Sequence, residues 1–547
     1  MNRWSVLAVL LIAAAALALR VPQLGSRPLH NDEAVNAFKV SELWQDGRYV
    51  YDPDEYHGPT LHYATVPFLW LSGAGHPDEL PDTTLRLAPL AFGVGLILLS
   101  LLFVDGLGRT AVIWAAIFTA VSPAMVFYSR YFIHEMLLVF FTALTIGAAW
   151  RYLQTRSVHW AITTGAGLGL MATTKETFVL ALAAMFLAGI CTAWWTGRKG
   201  DTPVARGGNE ATRMSPFQIL DSLRSQWNWR PFALAAGAAA AVWLVLFTSF
   251  FTNWAGPLDS VLTYLPWLKR AGGESPHIHP WYFYLHRLAW FQPARSPVWS
   301  EGLILGLAIV GATVSLVGRK TPLHRFIALY AIILTAIYST ISYTTQWCLL
   351  GFHHGLILLA GVGAATLLEL CRARALKVAL LVVLSVLTLQ LTWQSARANY
   401  TLDPDPENRK SWRANFNLAA DPRNPYVYAQ TSPNLLELMN RVDGIARVAP
   451  TGYETVVKVM APGGDYWPVP WYLRRFQNVG WYEELAADPY APVMLVSPEF
   501  KARYDDQSDR KWIMAGIYAL RPGKFFELYV ELELWKAYVA SLPRPVD

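Results

Sequence analysis

The stretch WSVLAVLLIAAAALALRVPQLGSRPLHNDEA (4–34) joins a long apolar segment to a group of polar and acidic residues. Its first part, 4–21, carries no charged side chain before Arg20 and is long enough to cross a ~30 Å hydrocarbon core as a helix. Ala16-Leu17-Ala18 resembles a signal-peptide cleavage site, but the apolar stretch is longer than a usual signal core. We therefore expect a retained membrane anchor.

Similar apolar segments recur throughout the 547 residues. Hydrophobic residues make up 54% of the chain and charged residues 15%, whereas soluble domains carry roughly 25% charged residues. The apolar segments are continuous and lack the alternation of a membrane β-barrel. The sequence predicts an α-helical polytopic membrane protein with about eleven spans, at 4–21, 86–104, 111–128, 136–150, 159–174, 177–196, 232–251, 301–317, 323–341, 347–369 and 376–394.

The distribution of basic residues predicts the orientation of these spans. The net charge is +6. A basic chain is one mark of a nucleic-acid-binding protein, but here Lys and Arg cluster at the ends of the apolar segments. That clustering is typical of the cytoplasmic side of a membrane protein. We predict no nucleic-acid partner, a cytoplasmic N-terminus, and a first loop and C-terminal region outside the cytoplasm in a cell membrane.

Two domains are predicted. Residues 1–395 form the membrane module, with a first outer loop at 22–85 and an aromatic second outer loop at 252–300 that suits a helix lying in the interface. The polar segment 197–230 is predicted to be a cytoplasmic loop. Residues 396–547 are predicted to form an outer α/β domain, with strands in YVYAQ (426–430), APVMLVSP (491–498) and FFELYVELELW (525–535) and a helix from Ser432.

The acidic pair Asp32-Glu33 follows the first span and precedes an amphipathic stretch, AVNAFKVSELW (34–44). One interpretation is structural, because Asn or Asp at a helix start stabilises the helix. The other is functional, with a general base held where a lipid-borne substrate meets an acceptor outside the membrane. The residues alone leave both interpretations open.

The order of several motifs resembles the C-type-fold membrane glycosyltransferases, especially the protein O-mannosyltransferase and aminoarabinose-transferase branch. Over nearly its whole length, the sequence most resembles the flippase-activity-associated proteins of archaeal N-glycosylation clusters and their bacterial homologues. The stretches that carry this resemblance are HNDEAVNAFKVSELWQDGRYVYDPDEYHGPTLHY (30–63), YSRYFIHEMLLVFFT (128–142), TKETF (174–178), HPWYFYLHRL (279–288), YAQTSPNLLELM (428–439) and DYWPVPWYLR (465–474).

The resemblance implies a glycosyltransferase that uses a polyprenyl-phosphate sugar. It assigns the catalytic base to Asp32, with Glu33 as second candidate, and implies inverting transfer of a hexose or pentose. The acceptor, a protein, a glycan or a lipid, stays open. A transporter or flippase component and a non-catalytic assembly subunit are the alternatives, although charges lie at the outer ends of the spans, which favours surface chemistry over translocation.

Further candidates for substrate or phosphate binding are Glu135, Arg130, Lys175, His57, Arg270 and His279. An acid as deep as Glu135 is costly and usually faces a cavity, and Lys175 lies where a lipid phosphate would. Anchoring at the interface, snorkelling and a Thr173–Glu176 capping box are the structural alternatives. No cofactor is predicted; Mg or Mn between Asp32 and Glu135 is the less favoured option.

Overall fold

A computed structural model describes residues 3–54, 57–199, 229–271, 277–293, 296–318, 320–400, 418–509 and 511–543. The contacts divide the chain into two compact units. Unit 1 comprises 1–22, 46–65 and 86–399, and unit 2 comprises 23–45, 66–85 and 400–547. Two segments of the predicted first outer loop thus belong to the same unit as the C-terminal region. Most of the predicted loop 197–230 lies outside the described residues.

The helices agree with the predicted membrane spans. Within the described ranges, eight helices are long and apolar enough to cross a membrane: Arg3–Arg20, Asp82–Leu107, Glu135–Thr155, Phe178–Thr196, Trp229–Phe247, Pro322–Thr340, Gln346–Leu370 and Arg374–Asn399. Three further helices, Arg109–Val121, Val158–Ala172 and Gly302–Val317, fall on the other predicted spans. The predicted class of polytopic α-helical membrane protein is confirmed.

One predicted span is interrupted. The helix expected over 111–128 ends at Val121, and a short helix, Pro123–Tyr128, follows it. Ser122 caps the second helix through its side chain, which accepts a hydrogen bond from the Met125 amide. Serine at the cap followed by proline at the first helical position is a common helix start, so the break follows from the local sequence.

The helices of unit 1 pack closely where small residues meet. A Cβ atom at Gly311 would lie 1.9 Å from the Leu359 carbonyl oxygen, and one at Gly363 would lie 2.0 Å from that of Leu307. Glycine at both positions lets the backbones of Gly302–Val317 and Leu350–Leu370 approach each other, as is typical of membrane helix pairs. This packing contributes to the buried environment of Leu350–Leu370.

The loop expected at 252–300 contains three short helices, Gly256–Leu262, Tyr264–Ala271 and Phe283–Ala289. Apolar side chains on the first two and on the preceding turn are exposed, including Trp254, Leu258, Val261 and Leu265. Exposed large apolar groups at helical spacing agree with the expected interfacial segment.

The C-terminal region of unit 2 contains a five-stranded mixed sheet in the order β2-β1-β3-β5-β4. The strands are β1 (Val457–Met460), β2 (Val479–Tyr482), β3 (Val493–Val496), β4 (Trp512–Arg521) and β5 (Lys524–Glu531). β1 pairs in parallel with β2 and β3, and β5 pairs antiparallel with β3 and β4. The helices Asn434–Val448 and Leu532–Ser541 contribute apolar residues to one core of this sheet. The predicted small α/β region is confirmed.

The predicted strand at YVYAQ (426–430) is wrong, because these residues form turns and bends. Ala429 has a left-handed backbone (φ 46°), and the Gln430 side chain accepts a hydrogen bond from the Tyr428 amide. The expectation over 525–535 is right only in its first part, since β5 ends at Glu531 and the helix Leu532–Ser541 follows.

Candidate functional site

Asp32 and Glu33 lie in the first turn of the helix Asn31–Asp46 in unit 2, and they have different environments. Glu33 is fully buried, and its Oε2 accepts the His30 amide hydrogen at 2.9 Å. This contact is the return half of a capping box, so Glu33 stabilises the start of the helix. The Asp32 side chain is 43% exposed. Of the pair, Asp32 is the carboxylate that a solvent-borne acceptor can reach.

The buried imidazole of His30 fixes the backbone beside Asp32. Its Nδ1 accepts the Asp32 amide hydrogen at 3.1 Å, so this nitrogen carries no proton in that contact. Burial lowers the pKa of His30, against the opposing charges of Asp32 and Glu33. His30 is therefore a neutral group next to the exposed Asp32 carboxylate.

In unit 1, His57 is paired with the buried Glu176. The His57 Nδ1–H group donates to Glu176 Oε2 at 2.7 Å, and the Tyr51 hydroxyl donates to Glu176 Oε1 at 3.2 Å. Burial opposes ionisation of Glu176, but the interaction with His57 outweighs it, and the pKa of Glu176 is lowered. The predicted Thr173–Glu176 capping box is wrong, because the Glu176 carboxylate serves this network instead.

The ring of His57 is packed between aromatic neighbours but stays 26% exposed. It stacks on Trp267 with the centroids 5.7 Å apart and meets His134 edge-to-face at 5.1 Å. His134 donates from Nε2 to the Gly58 carbonyl at 3.1 Å. The turn after His57 is thus held from one side by the residue that precedes Glu135.

Lys175 and Glu135 form a buried ion pair in unit 1. Glu135 opens the helix Glu135–Thr155, where the helix dipole favours a carboxylate. Burial disfavours the charged form of Lys175, yet the adjacent Glu135 raises the pKa of the lysine. The lysine is a cation whose charge is already balanced by a carboxylate.

A largely apolar cavity borders Glu135 inside unit 1. Helices Glu135–Thr155, Pro322–Thr340 and Gln346–Leu370 contribute to its lining. The lining includes Leu138, Val139, Tyr330, Leu334, Tyr338, Trp347 and Cys348. Glu135 of the ion pair therefore borders a small, mostly apolar space.

The other predicted site residues of unit 1 have structural contacts. Arg130 is buried and donates to the carbonyls of Arg20 and Pro22, both at 2.7 Å, at the C-terminal end of the first helix. His279 Nδ1 contacts the Thr344 hydroxyl at 2.8 Å. Arg270 belongs to the helix Tyr264–Ala271, but its side chain lies outside the described residues.

The sequence did not point to a second buried polar network in unit 1. Glu301 Oε2 accepts from the Ser122 hydroxyl at 2.6 Å and from His353 Nε2 at 2.9 Å, and its Oε1 accepts the Ala124 amide hydrogen at 3.0 Å. Both acidic and imidazole side chains are fully buried. The sequence did contain a signal for this network, because Glu301 and His353 lie within predicted spans, where ionisable side chains are rare. Ser122 and Glu301 meet the same imidazole nitrogen, which is not the arrangement of a nucleophilic triad.

Among the residues that the structure describes, no group of three or more His, Cys, Asp or Glu side chains is arranged to hold a metal ion. Three buried or partly buried acid–base pairs lie among these residues: His57 with Glu176, Lys175 with Glu135, and His353 with Glu301.

The fold is that of the C-type membrane glycosyltransferases, as the resemblance implied. ArnT from Cupriavidus metallidurans in the apo state has a similar structure, with a TM-score of 0.58 and 15% sequence identity over 96% of this chain and 98% of that chain. ArnT bound to undecaprenyl phosphate gives the same score and identity over 98% and 99% of the two chains. The apo oligosaccharyltransferase of Archaeoglobus fulgidus has a TM-score of 0.51 and 14% identity over 88% of this chain and 65% of that one.

The match at the level of sequence covers a smaller part of the chain than the structural matches do. The family model described as dolichyl-phosphate-mannose-protein mannosyltransferase matches residues 60–203. This range includes Arg130, Glu135 and Lys175 and ends within the cytoplasmic loop predicted at 197–230. Among curated proteins, none matches the sequence.

Proposed function

We propose that this chain is an integral-membrane glycosyltransferase that moves a sugar from a polyprenyl-phosphate donor to an acceptor outside the cytoplasm. The observation that carries the proposal is the difference between the two carboxylates of the acidic pair. The Glu33 carboxylate is buried and accepts the His30 amide hydrogen as a helix cap, whereas the Asp32 carboxylate is exposed. The fold shared with ArnT, of which one structure holds undecaprenyl phosphate, supports the choice of donor.

In this proposal Asp32 is the general base. Its carboxylate takes the proton of the acceptor hydroxyl as that oxygen attacks the anomeric carbon, and the bond from this carbon to the phosphate oxygen breaks. The polyprenyl phosphate leaves with the bonding electron pair, and attack opposite the leaving group inverts the anomeric centre. Base catalysis of this kind contributes about 10²–10⁴-fold to a rate.

For the phosphate we propose His57 and Lys175 in unit 1. His57 is the more accessible of the two, and its Nδ1–H donates to Glu176. Its Nε2 would therefore donate to a phosphate oxygen in the imidazolium form, in which both ring nitrogens carry hydrogen. Lys175 adds a buried cation, which a lipid phosphate would have to share with Glu135. Arg130 is assigned a structural role instead, because its guanidinium donates to two backbone carbonyls.

The base assignment is tested with full-length protein in nanodiscs, polyprenyl-phosphate hexose labelled in the sugar, and a membrane fraction as the source of acceptor. We expect Asp32→Asn to lower incorporation of label by at least about 100-fold. Asp46→Asn is the matched control, since Asp46 ends the same helix and is exposed. Transfer that persists in Asp32→Asn would refute the assignment.

The same preparation separates the proposed enzyme from a flippase. Movement of the lipid-linked sugar across vesicles that does not depend on Asp32 or Glu33, without transfer, would favour the transporter alternative. We expect transfer to continue after dialysis against EDTA. Labelling of single cysteines introduced in the first loop and in the C-terminal region, from outside intact cells, checks the proposed orientation.

A further inference from the structure

The backbone N–H and C=O groups of Leu29, three residues before Asp32, are both hydrogen-bonded to side chains of the C-terminal region of unit 2. The Leu29 amide donates to the Tyr472 hydroxyl oxygen at 2.7 Å, and the Leu29 carbonyl accepts from the Thr431 hydroxyl at 2.7 Å. Leu29 is fully buried. Loss of either partner would leave a buried backbone group unsatisfied, which is costly.

Tyr472 is itself held in one orientation. Its hydroxyl donates to Asp82 Oδ2 at 2.8 Å, and the Trp471 indole N–H donates to Asp82 Oδ1 at 2.8 Å. Because the single hydroxyl proton points to Asp82, the oxygen presents a lone pair to the Leu29 amide. A hydrogen bond to a carboxylate is stronger than one between neutral groups. Asp82 therefore holds the Tyr472 hydroxyl oxygen in the position where it accepts the Leu29 amide hydrogen.

The segment between Leu29 and Asp32 has little freedom. His30 is buried and contacts the Asp32 amide, and Glu33 reaches back to the His30 amide. Six residues beyond Asp32, Phe38 meets Trp467 and Trp471 edge-to-face, with centroids 5.8 and 5.7 Å apart. The position of the Asp32 backbone, and with it the point from which its carboxylate extends, therefore follows from the Leu29 backbone and the first turns of the helix.

We propose that Tyr472 and Thr431 are positioning residues for Asp32, so that the C-terminal region sets the geometry of the base instead of only binding a partner. The role of Asp32 in this inference rests on the proposed function. The two hydrogen bonds to the Leu29 backbone, which we call the clamp, do not depend on it. A reacting group displaced by about 1 Å loses roughly 100-fold in rate. Removal of one clamp bond frees the segment in part and lowers the rate by less.

The test compares full-length Tyr472→Phe and Thr431→Val in nanodiscs with the unaltered protein. Hydrogen–deuterium exchange of the 23–45 segment is expected to be about fivefold faster in each variant, as for the loss of one net hydrogen bond. In the transfer assay we expect kcat to fall about five- to tenfold while the KM for the lipid donor stays unchanged. A change in global stability alone would speed exchange throughout the protein, not selectively in the 23–45 segment.

Tyr453→Phe is the matched control. The Tyr453 hydroxyl also donates to a carboxylate, that of Asp443 at 2.6 Å, within the same C-terminal region. This variant should leave both exchange at 23–45 and kcat unchanged. Unaltered exchange in both clamp variants would overturn the clamp, and faster exchange with unaltered kcat would overturn the positioning role. A transfer assay that fails in the unaltered protein would count against the proposed function, whereas the exchange measurement would still decide the clamp.

Discussion

Lys175 and Glu135 neutralise each other in the interior of unit 1, each with only a few per cent of its side chain exposed. A buried pair of this kind is weak evidence of net stability, because both charges have lost water. It is nevertheless sensitive to the loss of one member. The pair therefore lets a lysine stay charged at a place where an unpaired cation would be unfavourable.

The first prediction concerns this pair. Glu135→Gln leaves Lys175 as an uncompensated buried cation and is expected to destabilise the protein by about 3–5 kcal/mol. Lys175→Met should have a similar effect, because it leaves a buried carboxylate. The double variant should recover most of the loss. Thermal unfolding of the four proteins in the same detergent, analysed as a double-mutant cycle, checks this, and additive losses would show that the two side chains are not coupled.

A second prediction separates the two members of the acidic pair. Glu33→Gln keeps an oxygen that can accept the His30 amide, whereas Glu33→Ala removes it. We expect Gln to be tolerated and Ala to cost about 1 kcal/mol as a lost helix cap. Unfolding midpoints measure the difference, with Glu42→Ala on the exposed face of the same helix as a comparison. Equal stability of the Ala and Gln variants would contradict the capping role.

The sequence predicted the class of fold because continuous apolar segments allow few structures in a bilayer. In the part of the chain that the structure describes, helix lies on each of the eleven expected spans, although the span expected at 111–128 is divided into two helices. The errors of the prediction have local causes. The YVYAQ segment has strand-forming residues, but it packs as turns fixed by the Gln430 side chain. The spacing of Thr173 and Glu176 is that of a capping box, but the Glu176 carboxylate is hydrogen-bonded to His57, which lies 119 residues earlier in the sequence.

Candidate site residues were predicted less completely than the fold. The resemblance selected Asp32, yet only the structure distinguishes its exposure from the burial of Glu33. The Glu301–His353 pair and the Tyr472–Leu29 contact join residues 52 and 443 positions apart. A single sequence carries no periodic signal for such contacts, since periodicity reports only which face of an element is buried.

The third prediction follows from groups whose pKa is lowered in the fold. Burial lowers the pKa of His30 and of His134 from the ordinary value of 6.5. For Glu176, burial opposes ionisation, but the interaction with His57 lowers the pKa below the ordinary 4.5. The unfolded chain therefore binds more protons than the folded one as the pH falls below these ordinary values, and stability must fall with it. Each histidine contributes at most about 1.4 kcal/mol per pH unit.

Unfolding midpoints between pH 7.5 and 5.0 measure this slope. His134→Gln can still donate to the Gly58 carbonyl but has no proton to gain. We expect the variant to show a shallower loss of stability below pH 6.5 than the unaltered protein. A slope of opposite sign, with greater stability in acid, would mean that the histidines are charged in the fold.

The fourth prediction addresses the Glu301 network. Glu301→Ala removes the acceptor of the Ser122 hydroxyl, the Ala124 amide and His353 together. A loss of about 3–5 kcal/mol is expected, since buried partners are left unsatisfied. Glu301→Gln should be less harmful, because its amide oxygen can still accept two of these bonds. Near-native unfolding midpoints for the Ala variant would show that the network contributes little.

The last prediction concerns the turn that carries His57. A Cβ atom at Gly58 would lie 2.1 Å from the Thr173 carbonyl oxygen, and Thr60 donates to that same oxygen from both its amide, at 3.1 Å, and its hydroxyl, at 2.8 Å. Gly58→Ala must therefore push the turn away from the segment that carries Lys175 and Glu176. We expect loss of the His57–Glu176 contact and, under the proposed function, a higher KM for the lipid donor. Gly237→Ala, where a Cβ meets nothing within 4 Å, is the matched control. If both alanine variants gave the same KM and the same unfolding midpoint, the close approach at Gly58 would have no functional consequence.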